Sequence, residues 1–242
     1  MKRLCFLILA VCIGTAYGLS AEHDALLSDV ASTYEKLHSR NFKVKMYCPQ
    51  VAMLVTTMLA LQAQAKGMPA PQVKFSHFDL SHQQSGDKLS AVFQGDGAEQ
   101  LAGLVNEKLA GVQMALTSLS FEGLRDLTDM VSNAEGTVIA QENQRQALFN
   151  VPNINEELYE GIKVLSAVIR VDKVNKIVEA VNLNLSGNNT LMIQVAHTKL
   201  DQQSGNMIVP TRIMISTTIE KQVEGTAMPQ QLMLGFSGYQ FN

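Results

Sequence analysis

From Ile162 to Asn242 the chain breaks into five apolar runs separated by short polar turns, with no helix-length pattern between them. The runs are Ile162–Val171, Lys176–Leu185, Thr190–Leu200, Met207–Ile219 and Gln231–Phe241. Their separators, such as Asp172-Lys173-Val174-Asn175 and Ser186-Gly187-Asn188-Asn189, hold the residues that tight turns need. An antiparallel meander is predicted. Within Met207–Ile219 one parity supplies Met207, Val209, Thr211, Ile213, Ile215, Thr217 and Ile219, the greasier face of a strand whose side chains alternate. The same test gives Ile177, Val181, Leu183 and Leu185, interrupted by Glu179; then Leu191, Ile193 and Val195; and finally Leu232, Leu234 and Phe236. Four neighbouring strands thus share an apolar face. Pro210 cannot donate to a ladder, which predicts an edge or a bulge at that point and a sheet that does not close into a barrel.

Upstream, Leu26, Leu27, Val30, Tyr34 and Leu37 repeat at helical spacing, an amphipathic helix over 23–37. Phe42 to Cys48 alternates as one strand. Pro49 can open a helix and Gly67 can follow its end, bracketing an apolar segment over 51–65 that reads as mostly buried. Val73–Leu80 and Lys88–Phe93 make a hairpin around the polar turn His82 to Asp87. Two more helices are predicted, one carrying Leu101, Val105, Leu109, Val112 and Leu116 and one over 121–131, followed by short strands at 137–140 and 146–151. There is no internal repeat and no linker, so one domain over 22–242 is expected. Its class is α+β, an unclosed antiparallel β-barrel or curved meander sheet with helices covering the concave side.

The composition is that of an ordinary globular protein: 242 residues, 46% hydrophobic and 17% charged. Residues 1–21 read as a secretory signal, with Lys2 and Arg3 as its basic end and Leu4–Gly14 as its apolar core. Cleavage fits after Gly18 or after Ala21, and the product is a soluble periplasmic or otherwise secreted protein. Without the signal the balance is 17 basic against 22 acidic residues, with no block of like charge, so nucleic acid is not an expected partner. Of the 3 cysteines only Cys48 remains, which precludes an internal disulfide and reads as a small buried apolar residue ahead of Pro49.

An apolar sheet face is either an ordinary core capped by helices or the lining of a cavity for an apolar ligand, and both give the same pattern. Of 12 methionines only Met1 lies in the signal, and flexible thioethers suit surfaces that adapt to varied apolar guests. If a cavity exists, Leu183, Ile193, Val209, Ile213, Ile215, Leu234 and Phe236 are its candidate ligand-binding residues.

The last strands resemble a known family. Val171-Asp172-Lys173 opening a turn, the polar hairpin Asp201 to Asn206 followed by Ile208-Val209-Pro210-Thr211-Arg212-Ile213, and the closing Phe236-Ser237-Gly238-Tyr239-Gln240-Phe241-Asn242 are similar to the C-terminal part of the Lol-type (LolA/LolB-like) periplasmic outer-membrane lipoprotein carriers. The resemblance covers Ile162 to Asn242. It implies an unclosed antiparallel barrel with helices plugging its mouth, acyl chains of a lipid or lipoprotein as ligand, and membrane-bound donor and acceptor proteins as partners of a monomer. The chain departs from the carrier pattern in lacking Trp, and no arginine is assigned to the carrier's strand-borne latch of the helical lid, since Arg40 precedes the first strand rather than lying within it. A non-enzymatic structural or interaction domain on the same scaffold is the alternative reading.

Chemistry is not expected. His77, Asp79 and His82 do not make a three- or four-ligand metal set, and His23, His38 and His197 lack ligand spacing. Gly235-Phe236-Ser237-Gly238 lacks the second glycine of a serine elbow at the right position, and no helix follows it. Glu156, Glu157 and Glu160 read as a solvated acidic face. The expectation is a binding protein with no catalytic residue, no metal and no cofactor.

Overall fold

The computed structural model describes residues 19–241 apart from 66, 68–72, 84–85, 100–101, 104–105, 107–130, 132–133, 135, 160, 202–204, 221, 224–225 and 228–229. In chain order the elements are α1 (Ala21–His38), β1 (Phe42–Tyr47), α2 (Pro49–Ala65), β2 (Lys74–His82) and β3 (Lys88–Gln94). Then follow β4 (Val138–Glu142), β5 (Gln146–Val151), β6 (Glu156–Tyr159), β7 (Ile162–Asp172), β8 (Ile177–Leu185), β9 (Asn189–Lys199) and β10 (Ile208–Thr217). Two-residue strands β11 (Gln222–Val223) and β12 (Thr226–Ala227) precede β13 (Gln231–Phe241). The fold is α+β, with an antiparallel sheet that is not closed. The signal expected over 1–21 and the helices expected around 101–116 and 121–131 fall almost wholly outside the described residues.

The chain divides into two compact units: Met1–Ser39 with Thr117–Gln231, and Arg40–Leu116 with Leu232–Asn242. In the first unit the strands run in the order β10-β9-β8-β7-β5-β4, and β6 joins β7 beside β5. This is the predicted meander over four of its five runs. β6 was not foreseen, because two glutamates in its four residues hide the alternation of a strand.

The register shows how one face stays apolar. Phe149 of β5 stands opposite Ile169 of β7, which stands opposite Val181 of β8, then Ile193 of β9 and Ile215 of β10. The row beside it is Val151, Ala167 and Leu183, and on the other flank Val195 faces Ile213. All of these side chains are buried. The apparent interruption at Glu179 is a β-bulge: Arg170 pairs with Ala180 but Val171 pairs with Val178, leaving Glu179 as the extra residue. An extra residue resets the parity, so Val178 and Val181 both serve the apolar face. A second bulge lies at Thr211, between Pro210 and Arg212, as the proline foretold.

α1 covers this face. Ser20 caps it, its Oγ accepting from the His23 backbone N–H at 3.4 Å, while Leu26, Leu27, Val30, Tyr34 and Leu37 point inward. A chain processed after Gly18 keeps that cap, and one processed after Ala21 loses it.

In the second unit β3-β2-β1-β13 pair in that order. β1 alternates buried and exposed throughout, as expected, and its Phe42 stacks on the His82 ring and packs against Tyr239 and Phe241. Cys48 is buried, and burial pushes its thiol up from the usual range against two backbone hydrogen bonds. Pro49 opens α2 as expected, but α2 is not mostly buried. Met53 is 69% and Leu61 58% exposed, and Thr56, Thr57 and Ala60 share that exposure, so the apolar content of the segment overstated its burial.

β13 pairs with β1 through a bulge at its Ser-Gly-Tyr: Lys45 faces Ser237 while Lys43 faces Gln240, and Gly238 has φ +67°. A Cβ at Gly238 would meet nothing within 4 Å, so only the backbone conformation demands glycine there. Gly238→Ala is expected to lower stability by about 1–2 kcal/mol, read as a fall in Tm. Gly235→Ala is the internal control: its φ is ordinary and its Cβ would sit 3.9 Å from that of Tyr47. Equal Tm values for the two variants would refute the bulge assignment.

Candidate functional site

The seven candidate lining residues are all buried. Leu183, Ile193, Ile213 and Ile215 lie together on the apolar face of the first unit beneath α1. Val209 does not share that face by register: the bulge at Thr211 places it opposite Thr198, on the other side of the ladder from Ile213. Its burial therefore has a different source from theirs. Leu234 and Phe236 belong to β13 in the second unit, where Phe236 pairs with Met46. A simple parity count groups Val209 with Ile213 and Ile215 because it cannot see a bulge.

Among the described residues, α1 makes polar contacts with its sheet near its N-terminal end, midway and near its C-terminal end. At its N-terminal end His23 Nε2 lies 3.1 Å from Glu142, which Lys173 also pairs, and these two partners hold the Glu142 carboxyl below the usual carboxylate range, Lys173 foremost. Midway, Asp29 meets Lys176 at 3.6 Å on the surface, a contact of little energetic weight. Near the C-terminal end the Tyr34 hydroxyl reaches into the sheet, accepting from the Val178 N–H at 2.9 Å and meeting His197 Nε2 at 3.1 Å.

The third contact suits a neutral histidine: with the Tyr34 oxygen accepting from Val178, its proton can be donated to His197 Nε2 when that nitrogen is unprotonated. Burial acts in the same sense, lowering His197 from 6.5 to about 4, with Asp172 opposing weakly, and it raises the Tyr34 hydroxyl above its usual range. Neither residue stood out in the sequence as functional. The available signal was a hydroxyl-bearing ring on the inward stripe, four residues after Val30.

The turn from β7 to β8 is set by Asp172. Burial works against its charge, but three donors outweigh that: Oδ1 accepts from the Val174 and Asn175 N–H groups at 2.8 and 3.0 Å, and Oδ2 from Asn175 Nδ2 at 2.9 Å. Its carboxyl is held below the ordinary range, with Arg145 adding to the effect. His77 and His82 have carboxylate neighbours: His77 Nε2 lies 3.2 Å from Asp79, and His82 Nδ1 2.5 Å from Asp87. Among the described residues no group of three metal-ligating side chains occurs, and no helix is long and apolar enough to cross a membrane.

No protein-family description and no curated protein matches the chain. Two solved structures are similar to it over most of its length at low TM-score. One is a domain from Vibrio parahaemolyticus named for outer membrane lipoprotein sorting, 9% identical, with TM-score 0.39, covering 89% of this chain and 91% of that one. The other is a DUF1329 family protein from Desulfovibrio piger, 8% identical, with TM-score 0.37, covering 90% of this chain and 92% of that one.

The Tyr34–His197 contact carries a sign for pH. A histidine whose folded pKa is depressed binds fewer protons folded than unfolded, so its contribution is complete above about 6.5 and is lost as pH falls towards about 4. The expected slope in that window is at most about 1.4 kcal/mol per pH unit. His197→Gln keeps an acceptor for Tyr34 and removes the titration. Its Tm measured from pH 7 to 4 should fall less than that of the parent; parallel curves would exclude His197 as the titrating group.

Proposed function

We propose that the chain is an exported, non-enzymatic carrier that holds acyl chains of a lipid or lipoprotein against the apolar sheet face of its first unit, with α1 as the movable cover. The observation that carries this reading is the pairing of a buried aliphatic face, Leu183, Ile193, Ile213 and Ile215 among it, with an amphipathic helix whose inward stripe lies on it. The carrier resemblance of the C-terminal strands supports the choice of an acyl guest.

With α1 in place Ile213 is fully buried and Ile193 is 5% exposed, so loading requires the helix to lift and a hydrocarbon chain to take its place. Affinity comes from apolar area removed from water, at about 25 cal/mol per Å². The Tyr34 hydroxyl, its donor Val178 and its partner His197 add to the cost of lifting, since all three lose their partners together. With no energy source in the chain, cargo leaves by transfer to an acceptor with a better site, and a membrane-bound donor and acceptor are the partners this implies. An outer-membrane-directed role in the periplasm follows from the same reading.

A second reading rests on the same burial. An aliphatic face that is already covered is also what a filled core provides, and a structural or interaction domain would need nothing more.

Mass spectrometry of organic extracts from gently purified, exported protein separates the two. The carrier reading expects co-purified acyl lipid, and a solvatochromic fatty-acid probe that Ile213→Asp no longer retains although the variant stays folded and monomeric. Tyr34→Phe should exchange that probe several-fold faster, because it removes the buried fastening without changing the apolar lining. Absence of lipid together with no probe uptake by the Tyr34→Phe variant would favour the filled core.

A further inference from the structure

The opposite face of the same strands has a different chemistry. There the first unit carries an open groove of about 360 Å³, lined by Gln146 of β5, Arg170 of β7, Glu179 of β8, Gln194 of β9, and Arg212 and Met214 of β10. Register confirms the side: Arg170 faces Ala180, Ala180 faces Gln194, and Gln194 faces Met214, a row offset by one residue from the apolar one.

The two bulges shape this groove. Glu179 is the extra residue of β8, and Arg212 follows directly on Thr211, the extra residue of β10, so both strands flanking β9 swell at the level of the groove. Thr211 Oγ1 secures its own bulge by donating to the Ala196 carbonyl at 3.1 Å.

Donors outnumber acceptors there. Glu179 Oε2 accepts from Gln146 Nε2 at 2.6 Å and lies 3.2 Å from Arg170 Nε. That second contact is an ion pair without hydrogen-bond alignment, and the Arg170 Nε–H, shielded from solvent, has no acceptor. Arg212 is exposed and has no ion-pair partner among the described residues. The groove therefore sets two guanidinium groups against one carboxylate, which among the described residues only Arg170 and Gln146 contact, while Gln194 Nε2 donates to Met192 Sδ at 3.6 Å; a surplus positive charge and unused guanidinium donors remain. Guanidinium forks match the two oxygens of a carboxylate or phosphate.

We propose that this groove binds a small anion: a phosphate or carboxylate borne on a polar body no larger than a lipid headgroup. A polar lining of this volume, at the lower end of small-molecule sites, suits a compact charged ligand and not an acyl chain. The site does not depend on the carrier reading, because it lies across the sheet from α1.

The test is a titration of sn-glycerol 3-phosphate into the full-length processed protein, followed by NMR, with glycerol as the neutral control. Saturable shifts at Arg170, Gln194 and Arg212 are expected, and glycerol should produce none. Arg212→Gln should weaken binding about tenfold through loss of a charge-assisted contact. Glu179→Gln should tighten it, since the competing acceptor and its charge are gone. Lys163→Gln, an exposed lysine of β7 outside the groove, should leave it unchanged. Binding that survives Arg212→Gln, or that falls equally in Lys163→Gln, would overturn the proposal, as would a titration without saturable shifts. Phosphatidylglycerol vesicles identify the source: sedimentation with vesicles that Arg212→Gln abolishes assigns a lipid headgroup, and binding of glycerol 3-phosphate without sedimentation assigns a free small anion.

Discussion

Keeping one aliphatic sheet face away from water is the constraint on which the first unit is built. Phe149, Ile169, Val181, Ile193 and Ile215 cross five strands in a single row, and exposing such a row would remove most of the hydrophobic stabilisation of the unit. α1 answers that constraint, yet an isolated helix of 18 residues is marginal in water. It persists because five inward side chains pack on the sheet and because Tyr34 finds both a donor and an acceptor there. A tyrosine hydroxyl buried without partners would have cost more than its ring contributes in specificity, so the position of Val178 and His197 fixes where along the sheet α1 can sit.

The strands meet the same constraint with bulges. A glutamate at position 179 on a strict alternation would have faced α1; as the extra residue of its strand it stands with Arg170 and Gln146 on the polar side, while Val178 and Val181 both remain inward. Thr211 does the same for β10, letting Ile213 and Ile215 join Val195 and Ile193 even though Arg212 and Pro210 intervene. One device thus serves two ends: it keeps one face purely aliphatic and it gathers charge opposite.

These bulges also mark where sequence reading stops. Every run of the C-terminal meander, the opening helix with its five inward residues, the β2–β3 hairpin and the strand nature of 137–140 and 146–151 were legible, because apolar side chains repeat at two or at three and four in each. The faces were legible only between bulges. Glu179 appeared as a blemish on an apolar face, and Val209 as a companion of Ile213, because parity counting assumes a regular ladder. α2 misled for another reason: Met53 and Leu61 are apolar but exposed, and composition does not tell which side of a helix faces solvent. Tyr34 and His197 are 163 residues apart, so no local pattern could join them.

The energetic comparison between α1 and an acyl guest bears on how a carrier of this design would work. Five buried side chains at roughly 2 kcal/mol each give α1 a hold on the order of 10 kcal/mol as an upper bound. An acyl chain of about fourteen methylenes, at about 0.8 kcal/mol for each one buried, offers a similar gain. The guest would therefore exchange with the helix and not add to it. Small changes in the polar fastening would then shift occupancy strongly, since a difference of about 1.4 kcal/mol is a tenfold change in a balanced equilibrium. A cover held mainly by hydrophobic area, with one buried tyrosine setting its position, is suited to such an exchange; a cover secured by a network of buried ion pairs would not be, because breaking each pair leaves an uncompensated charge that no hydrocarbon chain can satisfy.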